Sequence, residues 1–149
     1  MEHLSKFSAL NWRDKLLMFP VAGGIFVSRV LLNVIPYRHV LSLHGWTSGA
    51  FRRRFGTGPD PTEYTDRIVR LVKGVGRRVL GKKPCLPQAL VTQWFLQRNG
   101  FDAKLRIGVT KDDSGAFLAH AWIESGGDIV IGGRLSRYRY ARMGEISAA

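Results

Sequence analysis

Cysteine is almost absent from this chain, since Cys85 is the only one among 149 residues. A single cysteine excludes an internal disulfide framework and any metal site built from several thiolates. Cys85 is therefore either a structural thiol or a reactive one, in a chain that suits a reducing cytosol. We accordingly expect a cytoplasmic protein that carries neither a metal nor a cofactor.

Acidic residues are also scarce, with 11 Asp and Glu against 23 Lys and Arg, which gives a formal net charge of +12. Such an excess predicts attraction to an acidic partner: nucleic acid, an anionic membrane surface, or an acidic peptide or protein. The basic residues lie in small scattered groups, without the aromatic–basic motif of a known nucleic-acid module. The charge alone therefore identifies no partner.

The sequence has no uninterrupted hydrophobic run of membrane-spanning length. Residues 16–35 nearly reach the ~20 apolar residues that a span needs, but Pro20 and Arg29 fall inside them. A charge at mid-span is costly in lipid. We expect two amphipathic or buried helices that meet near Pro20, the second ending before Pro36, with membrane association as the less favoured alternative. We expect no secretory signal, because the basic region and cleavage site are missing.

Two further helices have clear boundary signals. Asp60, Pro61 and Glu63 form a capping box ahead of about five turns of amphipathic helix. A second helix begins close to Cys85 and ends at the Asn-Gly pair of residues 99–100. Its apolar residues recur at helical spacing, which predicts that it is the central, buried helix.

Three short strands follow in the sequence. Residues 103–109, 117–123 and 129–131 are rich in alternating or β-branched apolar residues, as half-buried strands are. The turn over residues 124–128 joins the last two strands into a hairpin. With the helices, this pattern predicts an α+β fold in which a central helix packs against a small antiparallel sheet.

Cys85 at a helix start and His120 in mid-strand outline a thiol–imidazole pair of the papain or transglutaminase type. A helix N-terminus favours a thiolate, and a histidine in reach can take and return its proton. Buried structural cysteines are common, so this pair alone does not decide the matter. Gln88 is either an oxyanion donor or a polar first-turn residue, and Trp122 is either a wall of the site or core.

Three motifs resemble those of the B2 proteins of lasso-peptide biosynthesis, which are transglutaminase-like leader peptidases. The motifs are Cys-Leu-Pro-Gln-Ala-Leu at 85–90, Gly-Phe-Asp-Ala-Lys-Leu-Arg-Ile-Gly-Val at 100–109 and Ala-His-Ala-Trp-Ile-Glu at 119–124. The resemblance implies a papain/transglutaminase-like catalytic core over residues 59–149, with an N-terminal helical region over residues 1–58 packed onto it as one domain. It also implies that Cys85 and His120 are catalytic.

The resemblance implies both a reaction and its partners. B2 proteins are cysteine peptidases that cut the leader from a ribosomally made precursor. A B1-type protein presents that leader, and a separate lasso cyclase acts on the freed core amine. Two alternatives stay open: a transglutaminase-like acyltransferase acting on another peptide, and a non-catalytic basic adaptor that binds peptide or nucleic acid.

The third member of the expected triad is missing from its usual position. The family places an aspartate on the strand after the histidine, where this chain has Gly132. Asp128 is the nearest acid, and we assign it as the third member. A regular hairpin, however, pairs His120 with residues 132–134 and leaves Asp128 roughly 16 Å along the ladder, whereas an orienting carboxylate must touch the imidazole. The alternatives are a backbone carbonyl, a water, a distant acid, or a Cys–His dyad.

Overall fold

A computed structural model describes residues 12–34, 39, 60–80, 85–133 and 135–142 of the chain. The fold is α+β, as predicted, with three long helices and one four-stranded antiparallel sheet among the described residues. The predicted linker over residues 37–59 lies outside these residues except for His39, and the division at residue 58 stays a prediction. The elements are α1 (Trp12–Val34), α2 (Pro61–Leu80), α3 (Cys85–Arg98), β1 (Lys104–Lys111), β2 (Phe117–Ser125), β3 (Asp128–Ile131), α4 (Ser136–Arg139) and β4 (Ala141–Arg142).

Helix α1 is one continuous helix, so the prediction of two helices meeting near Pro20 is wrong. Proline lacks the N–H that closes a helical turn and costs about 3 kcal/mol in a helix interior. Packing offsets that cost here, because Val21 and Ile25 are fully buried and α1 contacts both α2 and α3. The predicted end before Pro36 is confirmed, since α1 stops at Val34.

The face of α1 opposite its buried side is also apolar and remains exposed. Leu16, Phe19, Phe26 and Val30 recur there at three- and four-residue spacing. Among the described residues, Lys15–Val34 is the one stretch long and apolar enough to cross a membrane by length and composition. Core helices of soluble proteins and signal sequences meet the same criterion, so membrane association stays a prediction.

Helix α3 lies at the centre of the packing, in contact with α1, α2 and the sheet. The preceding helix, α2, begins as predicted. Asp60 Oδ1 caps it by accepting hydrogen bonds from the backbone N–H groups of Thr62 and Glu63, at 2.9 and 3.0 Å. Helix α3 ends at Arg98, before Gly100 with its φ of 81°. Its middle and its second half are held by the core, through Ala89, Leu90, Val91, Thr92, Phe95 and Leu96.

The sheet has the order β3-β2-β1-β4, with every pairing antiparallel. The three predicted strands are confirmed, with ends shifted by one or two residues. Gly126 and Gly127 form the β2–β3 turn with φ values of 59° and 88°, which suits a two-residue hairpin. Strand β4 and the short helix α4 were not predicted; they fold the basic, tyrosine-rich segment back onto β1.

One carboxylate ties three of these strands together. Glu124 of β2 accepts a hydrogen bond from Arg106 Nε of β1 at 3.1 Å and another from Arg142 Nη2 of β4 at 3.2 Å. It also accepts the indole N–H of Trp122 at 3.2 Å. Burial raises the pKa of Glu124, but the hydrogen bonds from Trp122 and Arg106 and the charges of both arginines outweigh it and hold that pKa below its ordinary value.

The Glu124 cluster yields a stability prediction. We expect Glu124→Gln to lower the free energy of unfolding at pH 7 by about 2 kcal/mol, since hydrogen bonds to charged groups contribute about 1.5–3 kcal/mol. Because folding lowers the pKa of Glu124, its contribution is complete above the ordinary glutamate pKa of about 4.3. That contribution is lost as the pH falls through the lower folded-state value.

Urea titrations at decreasing pH measure the difference in unfolding free energy between the native protein and the Glu124→Gln variant. Asp102→Asn is the matched control, because the Asp102 carboxylate forms an exposed pair with Lys104 at 3.9 Å. Such pairs contribute about 0–1 kcal/mol. The prediction would be contradicted if the difference in unfolding free energy between the native protein and Glu124→Gln stayed the same in acid.

Candidate active site

Cys85 is the first residue of α3 and the one cysteine of the chain. Its thiol is half-buried, and Leu86 and Ala121 each direct a backbone hydrogen bond at it. A helix N-terminus carries unpaired N–H groups and the positive end of the helix dipole. The sulfur therefore lies where a negative charge is favoured, at the contact between α3 and β2.

His120 lies in the middle of β2, and its imidazole makes a hydrogen bond with the Cys85 thiol. Its Nε2 is 2.6 Å from the carbonyl oxygen of Gly132. A carbonyl oxygen only accepts, so Nε2 carries the proton. Nδ1 is then the ring nitrogen left to face the thiol. The structure thus brings the two predicted residues together in hydrogen-bond contact.

The surroundings of Cys85 lower its pKa. Partial burial acts to raise the pKa of the thiol, as it does for any group that becomes charged on losing a proton. The hydrogen bond from His120, the backbone hydrogen bonds from Ala121 and Leu86 and the charge of the imidazolium together outweigh this effect. The pair therefore favours the thiolate, which is the nucleophilic form of cysteine.

Gly132 brings its carbonyl to His120 because it has no side chain. Its φ is 106°, a left-handed value that favours glycine. A Cβ on Gly132 would lie 2.8 Å from Trp122 Cα and 3.0 Å from the Ala121 carbonyl oxygen. The buried Ser136 hydroxyl donates a second hydrogen bond to the Gly132 oxygen at 2.8 Å. The acceptor for His120 is thus fixed from two sides.

Asp128 does not lie beside His120. The β2–β3 register places Asp128 opposite Ser125, at the turn end of the hairpin. His120 is five residues farther along β2, a separation of roughly 16 Å at ~3.3 Å per residue. The assignment of Asp128 as third member is corrected accordingly: the group in contact with His120 is the Gly132 carbonyl, one of the alternatives. The register shift at Ile123/Glu124 is too small to alter this result.

Aromatic rings enclose the other sides of the imidazole. Tyr140 stacks on His120, with ring centroids 4.9 Å apart and planes inclined by 29°. Trp122, on the same face of β2, is fully buried with its ring centroid 6.3 Å from that of His120. Gly108 makes room for both, because a Cβ there would lie 2.7 Å from Tyr140 Cβ. These contacts limit how the imidazole can turn.

Gln88 does not act at the pair in this arrangement. A Cβ on Gly76 of α2 would lie 2.9 Å from Gln88 Cδ, so the Gln88 side chain fills the contact between α2 and α3. This favours the interpretation of Gln88 as a polar first-turn residue. Two contributors, Ser136 and Tyr140, were missed from the sequence, whereas a backbone carbonyl was named there only as an alternative. The Gly-Gly pair at 132–133 was the one available signal for a special backbone there.

The pair predicts a pH dependence for alkylation of Cys85. The rate with iodoacetamide follows the thiolate fraction, so we expect its midpoint below the ordinary thiol pKa of about 8.5. His120→Ala removes the hydrogen bond and the positive charge and therefore raises the midpoint. Asp128→Asn is the control and leaves it unchanged. An unchanged midpoint in His120→Ala, or an equal shift in Asp128→Asn, would refute this geometry.

Two neighbouring glycines give a matched pair of variants. Gly132 and Gly133 both have positive φ, 106° and 100°, but a Cβ on Gly133 meets nothing closer than Ser136 Oγ at 3.7 Å. We expect Gly133→Ala to cost about 1 kcal/mol of stability from backbone strain. Gly132→Ala adds a clash with Trp122 and costs about 3 kcal/mol or more. Thermal unfolding compares the stabilities of the two variants. An equal loss of stability in both would contradict the close packing of Gly132 against Trp122.

Comparison with known proteins gives a family match for most of the chain. A family model described as the transglutaminase-like superfamily matches residues 31–145, which include α2, α3 and all four strands. Members of that superfamily are typically cysteine enzymes. Searches of the curated proteins and of the solved structures found no match. Because the matched range is the greater part of the sequence, this chain belongs to the transglutaminase-like superfamily.

Proposed function

We propose that this protein is a cysteine peptidase that removes the leader from a lasso-peptide precursor, with Cys85 as nucleophile and His120 as general acid and base. The observation that carries the proposal is the hydrogen-bonded thiol–imidazole pair at the start of α3. Membership of the superfamily supports the class of cysteine enzyme. The three motifs between residues 85 and 124 support the finer assignment to leader removal.

The first half of the reaction forms an acyl-enzyme. The Cys85 thiolate attacks the carbonyl carbon of the scissile peptide bond, and the developing oxyanion accepts a hydrogen bond from the Cys85 backbone N–H. That N–H is one of the four that a helix leaves without an intrahelical acceptor. The imidazolium of His120 then gives its Nδ1 proton to the leaving nitrogen as the C–N bond breaks. The core departs with a free amine, and the leader stays on Cys85 as a thioester.

The second half releases the leader. His120, now neutral, accepts a proton from water through Nδ1 while the water oxygen attacks the thioester carbon. The carbon–sulfur bond breaks, the leader leaves with a carboxylate, and the thiolate–imidazolium pair is restored. One water is consumed for each peptide bond cut.

The enzyme works in this scheme as a Cys–His dyad with a backbone orienter. The Gly132 carbonyl holds the proton on Nε2, which is the tautomer that the reaction needs. A carbonyl provides a dipole but no full negative charge, so it stabilises the imidazolium less than an aspartate would. The thiolate has to supply the remaining stabilisation of the imidazolium, and the N-terminus of α3 stabilises the thiolate in turn.

The proposal includes partners and a compartment. A B1-type protein presents the leader in trans, and a lasso cyclase takes up the released core. Exposed basic residues of α2, among them Arg70, Lys73 and Arg77, offer a surface for acidic segments of the leader or of B1. A cytoplasmic setting keeps Cys85 reduced.

Acyl transfer is the second candidate, because the superfamily match supports both chemistries. The two reactions share the thioester on Cys85 and differ only in the group that attacks it. Water gives a leader carboxylate, whereas an amine gives a new amide. The mass of the product therefore distinguishes hydrolysis from acyl transfer.

The test uses the full-length protein with a synthetic precursor and a B1-type protein, followed by mass spectrometry. We expect two fragments whose masses together exceed that of the precursor by one water. Cys85→Ala lowers the rate at least roughly 10³-fold, and His120→Ala lowers it comparably. Asp128→Asn is the matched control and stays within twofold.

Three other outcomes would each reject the peptidase. An amide adduct of the leader would indicate acyl transfer. Peptide binding that survives Cys85→Ala without any cleavage by the native protein would indicate an adaptor. Cleavage that survives Cys85→Ala would place the chemistry elsewhere.

A further inference from the structure

Among the described residues, strand β2 has one unpaired edge along its first half. Strand β1 pairs with β2 from Phe117 to Glu124. Strand β3 pairs only with residues 123–125 on the other side. Within the described part of the chain, no strand pairs with that second edge over residues 117–121. An unpaired edge presents a row of free N–H and C=O groups.

The hydrogen-bond pattern shows which residues face this edge. Asp112 N–H donates to the Ala116 carbonyl at 2.9 Å, across the turn between β1 and β2. In an antiparallel strand, successive residues direct their backbone groups to opposite neighbours. The even-numbered residues of β2 therefore bond to β1, whereas Phe117, Ala119 and Ala121 direct theirs to the free edge.

Cys85 lies on the same edge. The Ala121 backbone makes a hydrogen bond to the Cys85 sulfur, and Ala121 is one of the residues whose backbone groups face outward. Ala119 and Phe117 are the next two such residues along the strand, at about 7 Å and 13 Å from Ala121 given ~3.3 Å per residue. The free edge therefore leads directly to the thiol.

The side chains along this edge suit a peptide. Phe117 and Leu118 are 74% and 45% exposed and point to opposite faces of the sheet. Ala119, the next residue of the strand, is exposed and small, so it leaves the backbone accessible. Lys111 Nζ lies 5.1 Å from the centre of the Phe117 ring and adds a positive charge beside it.

We propose that an extended segment of the substrate peptide adds to the sheet along residues 117–119 and so presents its scissile carbonyl to Cys85. The inference rests on the proposed function and names the surface that holds its substrate. An extended polypeptide is the ligand that matches alternating N–H and C=O groups at this repeat. The peptide residue bonded to Ala119 lies about two positions from the scissile bond.

The sharpest test changes the peptide and leaves the protein as it is. Synthetic precursor peptides each carry one N-methyl group, which removes a single backbone N–H, at successive positions around the cleavage site. We expect kcat/KM to fall about tenfold where the N–H faces β2, the effect of roughly one hydrogen bond, and to change less than twofold at the residues between. A strand added to an edge gives this period of two.

A pair of proline variants tests the protein side. Ala119→Pro removes an N–H from the free edge and leaves the bonds to β1 in place, as proline does in edge strands. We expect kcat/KM to fall about tenfold, while the rate of Cys85 alkylation stays within twofold. Asp113→Pro is the control. It removes an N–H at the second position of the turn closed by Gly115 N–H and Asp112 O, where proline is favoured.

The outcomes separate this inference from the proposed function. If the precursor is cut but N-methylation shows no alternation, the edge proposal fails and the peptidase stands. If nothing is cut, the peptidase fails, and fluorescence anisotropy with the labelled peptides and Cys85→Ala protein still tests the edge. If the labelled peptides do not bind, the edge proposal is overturned. It is also overturned if the protein forms edge-to-edge dimers in solution that the Ala119→Pro variant abolishes, because a second copy of the chain would then occupy the edge.

Discussion

The hydrogen bond from His120 Nε2 to the Gly132 carbonyl is the contact on which the site depends. It fixes the tautomer, and thereby leaves Nδ1 to face Cys85. The bond in turn requires a backbone that comes unusually close to Trp122, which glycine alone permits at a φ of 106°. It also requires Ser136, whose hydroxyl holds the same oxygen. Helix α4, which begins at Ser136, therefore belongs to the site.

A carbonyl in place of a carboxylate changes the electrostatics of the pair. Two unit charges 4 Å apart attract by about 4 kcal/mol at an effective dielectric constant of 20, and His120 lacks that attraction on its Nε2 side. The remaining favourable terms come from the thiolate on its Nδ1 side and from the stacked ring of Tyr140. The ion pair consequently relies more on the N-terminus of α3, whose position the buried core fixes.

The sequence predicts what local signals control. Asp60 marks the start of α2, the Gly126-Gly127 turn sets the hairpin register, and that register alone argues against Asp128. The backbone acceptor at position 132 could be named only as an alternative, because a carbonyl has no residue type of its own. Tyr140 reaches His120 through a long-range return of the chain that no local pattern encodes. The prediction of a helix break at Pro20 was wrong for the opposite reason, because tertiary packing overrides the local preference of proline.

Gly132 is better explained as a requirement of this arrangement than as a lost aspartate. Any side chain at this position would collide with Trp122, so an aspartate could not be introduced without moving the strand. The left-handed backbone at Gly132 also ends β3 just after Ile131. A longer β3 would cover residues 117–121 and occupy the edge that Cys85 and a substrate would share. One glycine thus supplies the carbonyl beside His120 and ends β3 before it reaches residues 117–121 of β2. In the mechanism proposed above, the two-residue period of β2 places side chains for chemistry on one face and backbone groups for binding along the edge.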